Sequence, residues 1–382
     1  MKQLTYLFIG ILLGIATILQ AQDIHESKGK FSGYMIGDYF YNVRRDTTFS
    51  SASAPKNAAV TGPQDMQGFQ FRRIYFAYDN EISDQFTSRF RLEADQSALT
   101  TGVKSSNGDG TFDGKISVFV KDAYLKWKNV FEGTDMIFGI QPTTAYDISE
   151  AAWGYRSLEK TIMDLRGIIP SRDFGIALRG KLTSDGIVNY WAMLANGDGN
   201  RPAATKFKRY SLTLQVKPDN HWLATLAGDY RAQPGINDPL STTNPKATVS
   251  NNILTGAVFV GYKETDRYAF GIEGFLNSAM NAYTASNGSL TALKKIGVSV
   301  WGSVNLQSTL AVVGRYDYFD PNTDGNSASD ARNYIIGGVS WKPDNNVSII
   351  PNVQLEMYET PPGGKAPDAS VTGRVTFYYV FL

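Results

Sequence analysis

The sequence of 382 residues contains no cysteine and two histidines. Without cysteine, the chain can form neither a disulfide framework nor a thiolate metal site. His25 and His221 lie near no plausible serine nucleophile, and the sequence has no G-x-S-x-G motif. The net charge of +1 gives no basis for binding nucleic acid. We therefore expect a protein that is not an enzyme and that has no nucleic-acid partner, cofactor or metal.

Long apolar runs are also scarce. Beyond residue 22, no run approaches the ~18 residues of a membrane-spanning helix. The run Leu7–Leu19 follows Lys2 and precedes the small residue Ala21, which is the layout of a secretory signal peptide. An N-terminal membrane anchor is the alternative, but the run is short for one. We expect residues 1–22 to be removed on export and residues 23–382 to form the mature protein.

From Lys28 onward, the sequence is rich in short segments with alternating apolar and polar side chains. This period of two is typical of β-strands, and we find no long run with the period of a helix. We predict sixteen strands, over approximately 29–41, 68–80, 84–95, 116–127, 134–140, 173–183, 187–195, 206–217, 221–231, 252–263, 267–277, 293–306, 308–319, 332–342, 347–357 and 370–382.

The gaps between these segments alternate in length. Every second gap is a tight turn such as "TSDG", "KPDN" or "KETD". The other gaps are long and rich in glycine, asparagine, serine and proline: 42–67, 96–115, 141–172, 196–205, 232–250, 278–292, 320–331 and 358–369. Short turns at one rim, long loops at the other and an even strand number are typical of outer-membrane barrels, whereas a soluble sandwich has no reason to alternate in this way.

The alternation also predicts which side chains face outward. A closed barrel of sixteen strands is too wide for side chains to fill, so its apolar faces must point outward into lipid. On the last strand, which closes the barrel against the first, the outward set is Phe377, Tyr379 and Phe381. We therefore predict an all-β fold: a 16-stranded antiparallel transmembrane β-barrel with long extracellular loops and short periplasmic turns, in the outer membrane of a Gram-negative bacterium.

The inward positions carry more arginine than carboxylate. The predicted basic residues of the lumen wall are Arg89, Arg91, Arg179, Lys181, Arg209, Arg231 and Arg315. Such residues can attract anions, or they can form ion pairs with carboxylates that hold a polar wall together, and the sequence leaves both roles open.

The loop 141–172 differs from the others because it is the longest and the least polar. Its apolar residues, among them Trp153 and Leu158, need burial, which a fold back into the barrel would provide. We expect a constriction loop with a short helix over 157–166; an outward-projecting, partly helical loop is the alternative. The basic residues expected to project into the opening are Arg156, Lys160, Arg166 and Arg172.

Several stretches resemble the phosphate-selective porin O and P family, in particular its Bacteroidetes-type members. They are "GFQFRRIYFAYDNEISDQFTSRFRLEAD", "VKDAYLKW", "IFGIQPTTAYDISEAAWGYRSLEKTI" and "IPSRDFGIALRGKL", which cover much of 68–183. The resemblance implies a sixteen-stranded barrel, usually a homotrimer, whose third loop forms the constriction. It also implies an arginine ladder, here Arg89, Arg91 and Arg179, and basic residues Arg156, Lys160 and Arg166 on the loop.

We expect a porin for passive diffusion of small hydrophilic solutes, with sieving at the third loop and a charge bias from the lumen. A central ring of lysines is not evident, so we expect a mild preference for anions, with phosphate as one candidate. The alternatives are a specific channel for a sugar or another nutrient, a non-conducting adhesin or scaffold, and an outer-membrane enzyme built on a barrel.

Overall fold

The computed structural model describes residues 28–47, 62–95, 117–323, 330–360 and 363–382. Sixteen of its strands form one closed antiparallel barrel in which each strand pairs with its neighbours along the chain and the last strand pairs with the first. The predicted 16-stranded antiparallel β-barrel is therefore confirmed. No helix among the described residues is long and apolar enough to cross a membrane. The predicted signal peptide, residues 1–22, lies outside the described residues.

The barrel strands agree closely with the predicted segments. They are β1 (Lys28–Arg44), β2 (Gln67–Glu81), β3 (Phe86–Asp95), β4 (Ser117–Phe131), β5 (Thr134–Pro142), β6 (Arg172–Lys181), β7 (Val188–Ala195), β8 (Arg209–Val216), β9 (Trp222–Arg231), β12 (Ile253–Glu264), β13 (Tyr268–Thr284), β14 (Leu290–Gln307), β15 (Leu310–Asp320), β16 (Arg332–Asp344), β17 (Val347–Tyr358) and β18 (Ser370–Val380). A separate pair, β10 (Ile236–Asn237) and β11 (Thr248–Val249), lies within one long loop and was not predicted.

The connections at one end of the barrel, here called the turn rim, run from two residues (132–133) to six (182–187). Most connections at the other end, the loop rim, are much longer. The predicted long loop 278–292 is wrong, because β13 and β14 extend past a bulge and leave a connection of 285–289. Extending the hairpin satisfies backbone N–H and C=O groups that a long loop would leave to water.

Side chains alternate between the two faces of the barrel wall as the pleat of a strand requires. On β17, Val353 is exposed on the outer face, whereas its neighbours Asn352 and Gln354 are buried on the inner face. On β18, Phe377 and Tyr379 lie on the outer face next to the seam with β1, where Gly37 pairs with Phe377. Phe381 lies one residue beyond β18, and its N–H donates to the carbonyl of Gly33 at 2.9 Å.

Candidate functional site

The segment 143–171 between β5 and β6, here called L3, lies inside the barrel. Leu158 and Ile162 are fully buried. Leu158 and Trp153 pack in one apolar cluster with inward residues of β12 and β14–β17. Burial of these apolar groups against the wall offsets the cost of ordering a long loop.

L3 contains two short helices rather than the predicted helix over 157–166. Helix α1 spans Asp147–Trp153 and ends at Gly154, whose φ of 68° suits glycine. Helix α2 spans Ile162–Leu165. The carbonyl oxygens between the two helices accept hydrogen bonds from the wall. Arg72 donates to Leu158 O at 2.8 Å and also contacts Ser157 O.

Further polar side chains of the wall hold L3 in place. Arg315 donates to the carbonyl of Lys160, and Gln354 donates to Leu158 O at 3.4 Å. Glu273 of β13 accepts from the Ser149 hydroxyl at 2.9 Å. Because these contacts come from several strands, L3 is attached along much of its length to one side of the barrel.

Arg166 does not project into the opening, contrary to our expectation. Its Nη1 lies 2.6 Å from Glu356 Oε1, and both side chains are fully buried. The prediction that Arg172 projects into the opening is also wrong. Arg172 is the first residue of β6, and its side chain is nine-tenths buried and pairs with Asp122 of β4. A buried guanidinium requires a carboxylate partner, and each wall carboxylate fixes its arginine beneath or beside L3.

Arg156 and Lys160 lie on the charged edge of L3. Arg156 lies 3.0 Å from Glu150 and 3.3 Å from Asp164, while Lys160 is 4.0 Å from Asp164 and about one-third exposed. Burial raises the pKa of Glu150, although Arg156 opposes the shift. Asp164 is buried too, but Lys160 and Arg156 hold its pKa below the usual range. Both cations are thus partly neutralised within the loop.

The wall that faces this edge belongs to β1–β4 and carries its own ion pairs. Glu93 lies 3.2 Å from Arg73 and 2.7 Å from Lys121. The charge of Arg156 also acts on Glu93 of this wall. The charged edge of L3 therefore faces the charged inner side of β1–β4.

Bulges place Arg73 and Lys121 on the inner side, where strict alternation does not predict them. β2 has a register shift opposite Ile36 and Gly37, so Arg72 and Arg73 both reach inner carboxylates. β4 has another shift opposite Arg91, which places the neighbours Lys121 and Asp122 together on the inner side. The adjacent like charges in "FRRI" were the available signal for the first bulge.

The predicted wall residues lie on the inner face, mostly in ion pairs. Arg89 is 2.6 Å from Asp79, Arg91 is 2.6 Å from Asp122, and Arg315 is 2.6 Å from Asp317. Arg209 lies 3.5 Å from Asp229, and Arg231 lies 3.4 Å from Asp198. Arg179 instead stacks over Trp191, 4.6 Å from the ring centroid.

Lys181 is the last residue of β6 and borders the turn glycines Gly133 and Gly186. It therefore belongs to the turn rim rather than to the middle of the lumen. Among the described residues, no group of three or more histidine, cysteine or acidic side chains could hold a metal ion.

Comparison with known proteins supports the fold. No family model and no curated protein matches the sequence. Among solved structures, the outer membrane channel DcaP of Acinetobacter baumannii is 12% identical and matches 93% of this chain and 97% of its own, with a TM-score of 0.62. An anion-selective porin from Comamonas acidovorans is 10% identical and matches 93% of this chain and 100% of its own, with a TM-score of 0.60. In-vitro folded OmpT of Vibrio cholerae, in trimer form, is 12% identical and matches 93% of this chain and 99% of its own, with a TM-score of 0.55.

Proposed function

We propose that this protein is a porin of the outer membrane of a Gram-negative bacterium, which residues 1–22 direct for export. It allows small hydrophilic solutes to diffuse passively through the barrel, whose apolar outer face lies in lipid. The observation that carries the proposal is L3, an apolar loop buried against one wall with a charged edge toward the other. Such a loop narrows a wide barrel without closing a catalytic site.

Charge pairing at the opening favours a mild rather than a strict selectivity for anions. The guanidinium of Arg156 has two carboxylates within reach, and Glu93 neutralises part of the wall opposite. The side chain of Lys160 is more exposed to solvent than that of Arg156, the other cation of the L3 edge. A small excess of basic groups raises the local anion concentration without binding one anion tightly. Phosphate remains the candidate solute that the sequence resemblance suggests.

A homotrimer is part of this proposal. The sequence resemblance implies one, and the OmpT structure with the same fold is described in trimer form. The outer face of β1–β4 is rich in exposed aromatic rings, with Phe69 83% exposed. We assign this face to the contact between subunits, since rings of this size on a sheet face are suited to a neighbouring subunit as well as to lipid.

Single-channel recording in a planar bilayer under a KCl gradient tests the proposal. We expect steady conductance, a reversal potential that favours chloride modestly, and partial block by added phosphate. The double variant Arg156→Ala/Lys160→Ala should lose much of the chloride preference and the block. Arg89→Ala, which breaks a wall ion pair outside L3, serves as the matched control. A correctly folded barrel without conductance would overturn the channel function, and an unchanged double variant would overturn the role given to L3.

A further inference from the structure

A cavity of about 690 Å³ lies between L3 and the turn rim. Its roof is the segment 151–155 of L3, and its walls are inward residues of β9, β12–β14 and β16–β18. We call it the turn-side basin. Arg156 also borders it, so the basin adjoins the opening beside L3. Any solute that passes L3 toward the turn rim meets this space next.

Three lysines stand around the mouth of the basin: Lys217 after β8, Lys263 in β12 and Lys342 in β16. On each strand, the residue two positions earlier is buried on the inner face, so all three lysines continue the inward series. Their backbone N–H groups bond to neighbouring turns, for example Lys263 N–H to His221 O at 3.0 Å. Within the described part of the chain, none has a carboxylate within 4.0 Å. Their charges are therefore available, unlike those of the paired cations beside L3.

Three carboxylates also border the basin, but none lies at an inward strand position. Asp219 accepts the N–H groups of Trp222 and His221, each at 2.8 Å, and these bonds hold its pKa below the usual range. Glu264 continues the outward series of β12 and accepts from the Tyr262 hydroxyl at 3.2 Å. Asp266 lies in the turn that follows β12. The inward series of β8, β12 and β16 therefore bring lysines to the basin, whereas Asp219 and Asp266 lie in turns and Glu264 lies in the outward series of β12.

The deeper part of the basin is apolar. The roof presents Ala151, Ala152 and the half-buried ring of Tyr155. The wall carries Leu223 and Ala269, which are partly buried and pack, like Ala152 and Tyr155, against the apolar cluster beneath L3. A solute with an apolar body can remove this surface from water, while an acid group on the same solute reaches the lysines at the mouth.

We propose that the turn-side basin binds amphipathic organic anions, with the apolar body under L3 and the acid group among Lys217, Lys263 and Lys342. This inference rests on the proposed channel function, which it extends with a second, side-specific site. Simple inorganic anions gain only the weak attraction of solvated lysines. An organic anion gains that attraction together with burial of its apolar surface.

Block of the single-channel current by naphthalene-1-sulfonate tests this proposal, with methanesulfonate as the probe of charge alone. We expect naphthalene-1-sulfonate to block when added on the turn-rim side, and methanesulfonate to have little effect at the same concentration. The variant Lys217→Gln/Lys263→Gln/Lys342→Gln should weaken the block about tenfold, since each lysine contributes a modest attraction. Lys181→Gln, at the same rim but outside the basin, is the matched control.

The side of the bilayer that the turn rim faces is identified by adding streptavidin to a biotinylated Ser184→Cys variant. This variant has a unique thiol because the native chain has no cysteine. Ser184 is exposed in the turn between β6 and β7. Equal block from both sides, equal block by methanesulfonate, or full block of the triple variant would each overturn the basin as the site. Potassium chloride conductance without any probe reports on the channel itself. The proposed function therefore survives if only the block is absent.

Discussion

Arg166 and Glu356 form an ion pair with no exposure to solvent, between helix α2 and β17. Alternation along β17 puts Glu356 on the inner face, and the sequence places Arg166 on an apolar loop. It could not indicate that the two meet, because the pairing depends on how L3 lies across the barrel. Lys121 shows a second limit, since one bulge changes the face of every later residue on its strand.

Removing one partner of the buried pair leaves the other buried without that counter-charge. We expect Arg166→Met to lower the free energy of unfolding by about 3 kcal/mol. The double variant Arg166→Met/Glu356→Leu should recover most of this loss, because it removes both charges of the pair. Urea unfolding of the purified barrel measures both values. A double variant as unstable as the single one would show that Arg166 contributes through packing instead.

We expect Glu150 to make the charge of the L3 edge depend on pH. Because burial raises its pKa, this carboxyl gains a proton at a higher pH than an exposed glutamate does. Acidification therefore neutralises Glu150 while Asp164, whose pKa is lowered, stays ionised. Arg156 then loses one counter-charge. The chloride preference should increase as the pH falls from neutral toward the ordinary pKa of a glutamate.

The variant Glu150→Gln provides the control for this pH dependence. It should show the higher chloride preference already at neutral pH and change little on acidification. The reversal potential under a KCl gradient measures both proteins. If the wild type and the variant respond equally to pH, another carboxyl controls the selectivity.

At the scale of the elements, all sixteen barrel strands follow from the alternation of side chains, because the wall of a barrel enforces a period of two. The helices of L3 did not follow from the sequence. Helix α1 is held by Trp153 against Trp301, with ring centroids 5.4 Å apart, and by Arg315 over the Trp153 ring. Those contacts come from distant strands, so local propensity around 147–153 carries little of the information.

Trp153 is therefore expected to anchor L3. Trp153→Ala should cost about 3 kcal/mol of docking free energy, because it leaves a cavity beneath the loop and removes the hydrogen bond to Glu159 O. Limited proteolysis of the intact barrel should then cleave within L3. Trp341→Ala, on the exposed outer face of β16, is the matched control and should leave L3 protected. Equal protection of L3 in both variants would mean that the polar tethers alone hold the loop.

At the scale of the molecule, closure of β18 against β1 and the position of L3 together define one lumen with two unlike parts. The edge of L3 carries paired charges, and three lysines without carboxylate partners among the described residues border the turn-side basin. Strand number and closure were predictable from the sequence, since an even count of amphipathic strands leaves few alternatives. The asymmetry of the lumen was not predictable from the sequence, because it depends on the side of the barrel against which L3 packs.

In the proposed function, L3 narrows a passive channel. This is tested by comparing the single-channel conductance of the wild type with that of a variant in which residues 147–165 are replaced by a short glycine–serine linker. We expect steady conductance in the wild type and a several-fold larger one, with weaker chloride preference, in the variant. Equal conductances would show that L3 is not the constriction. Conductance in neither folded barrel would contradict the channel itself.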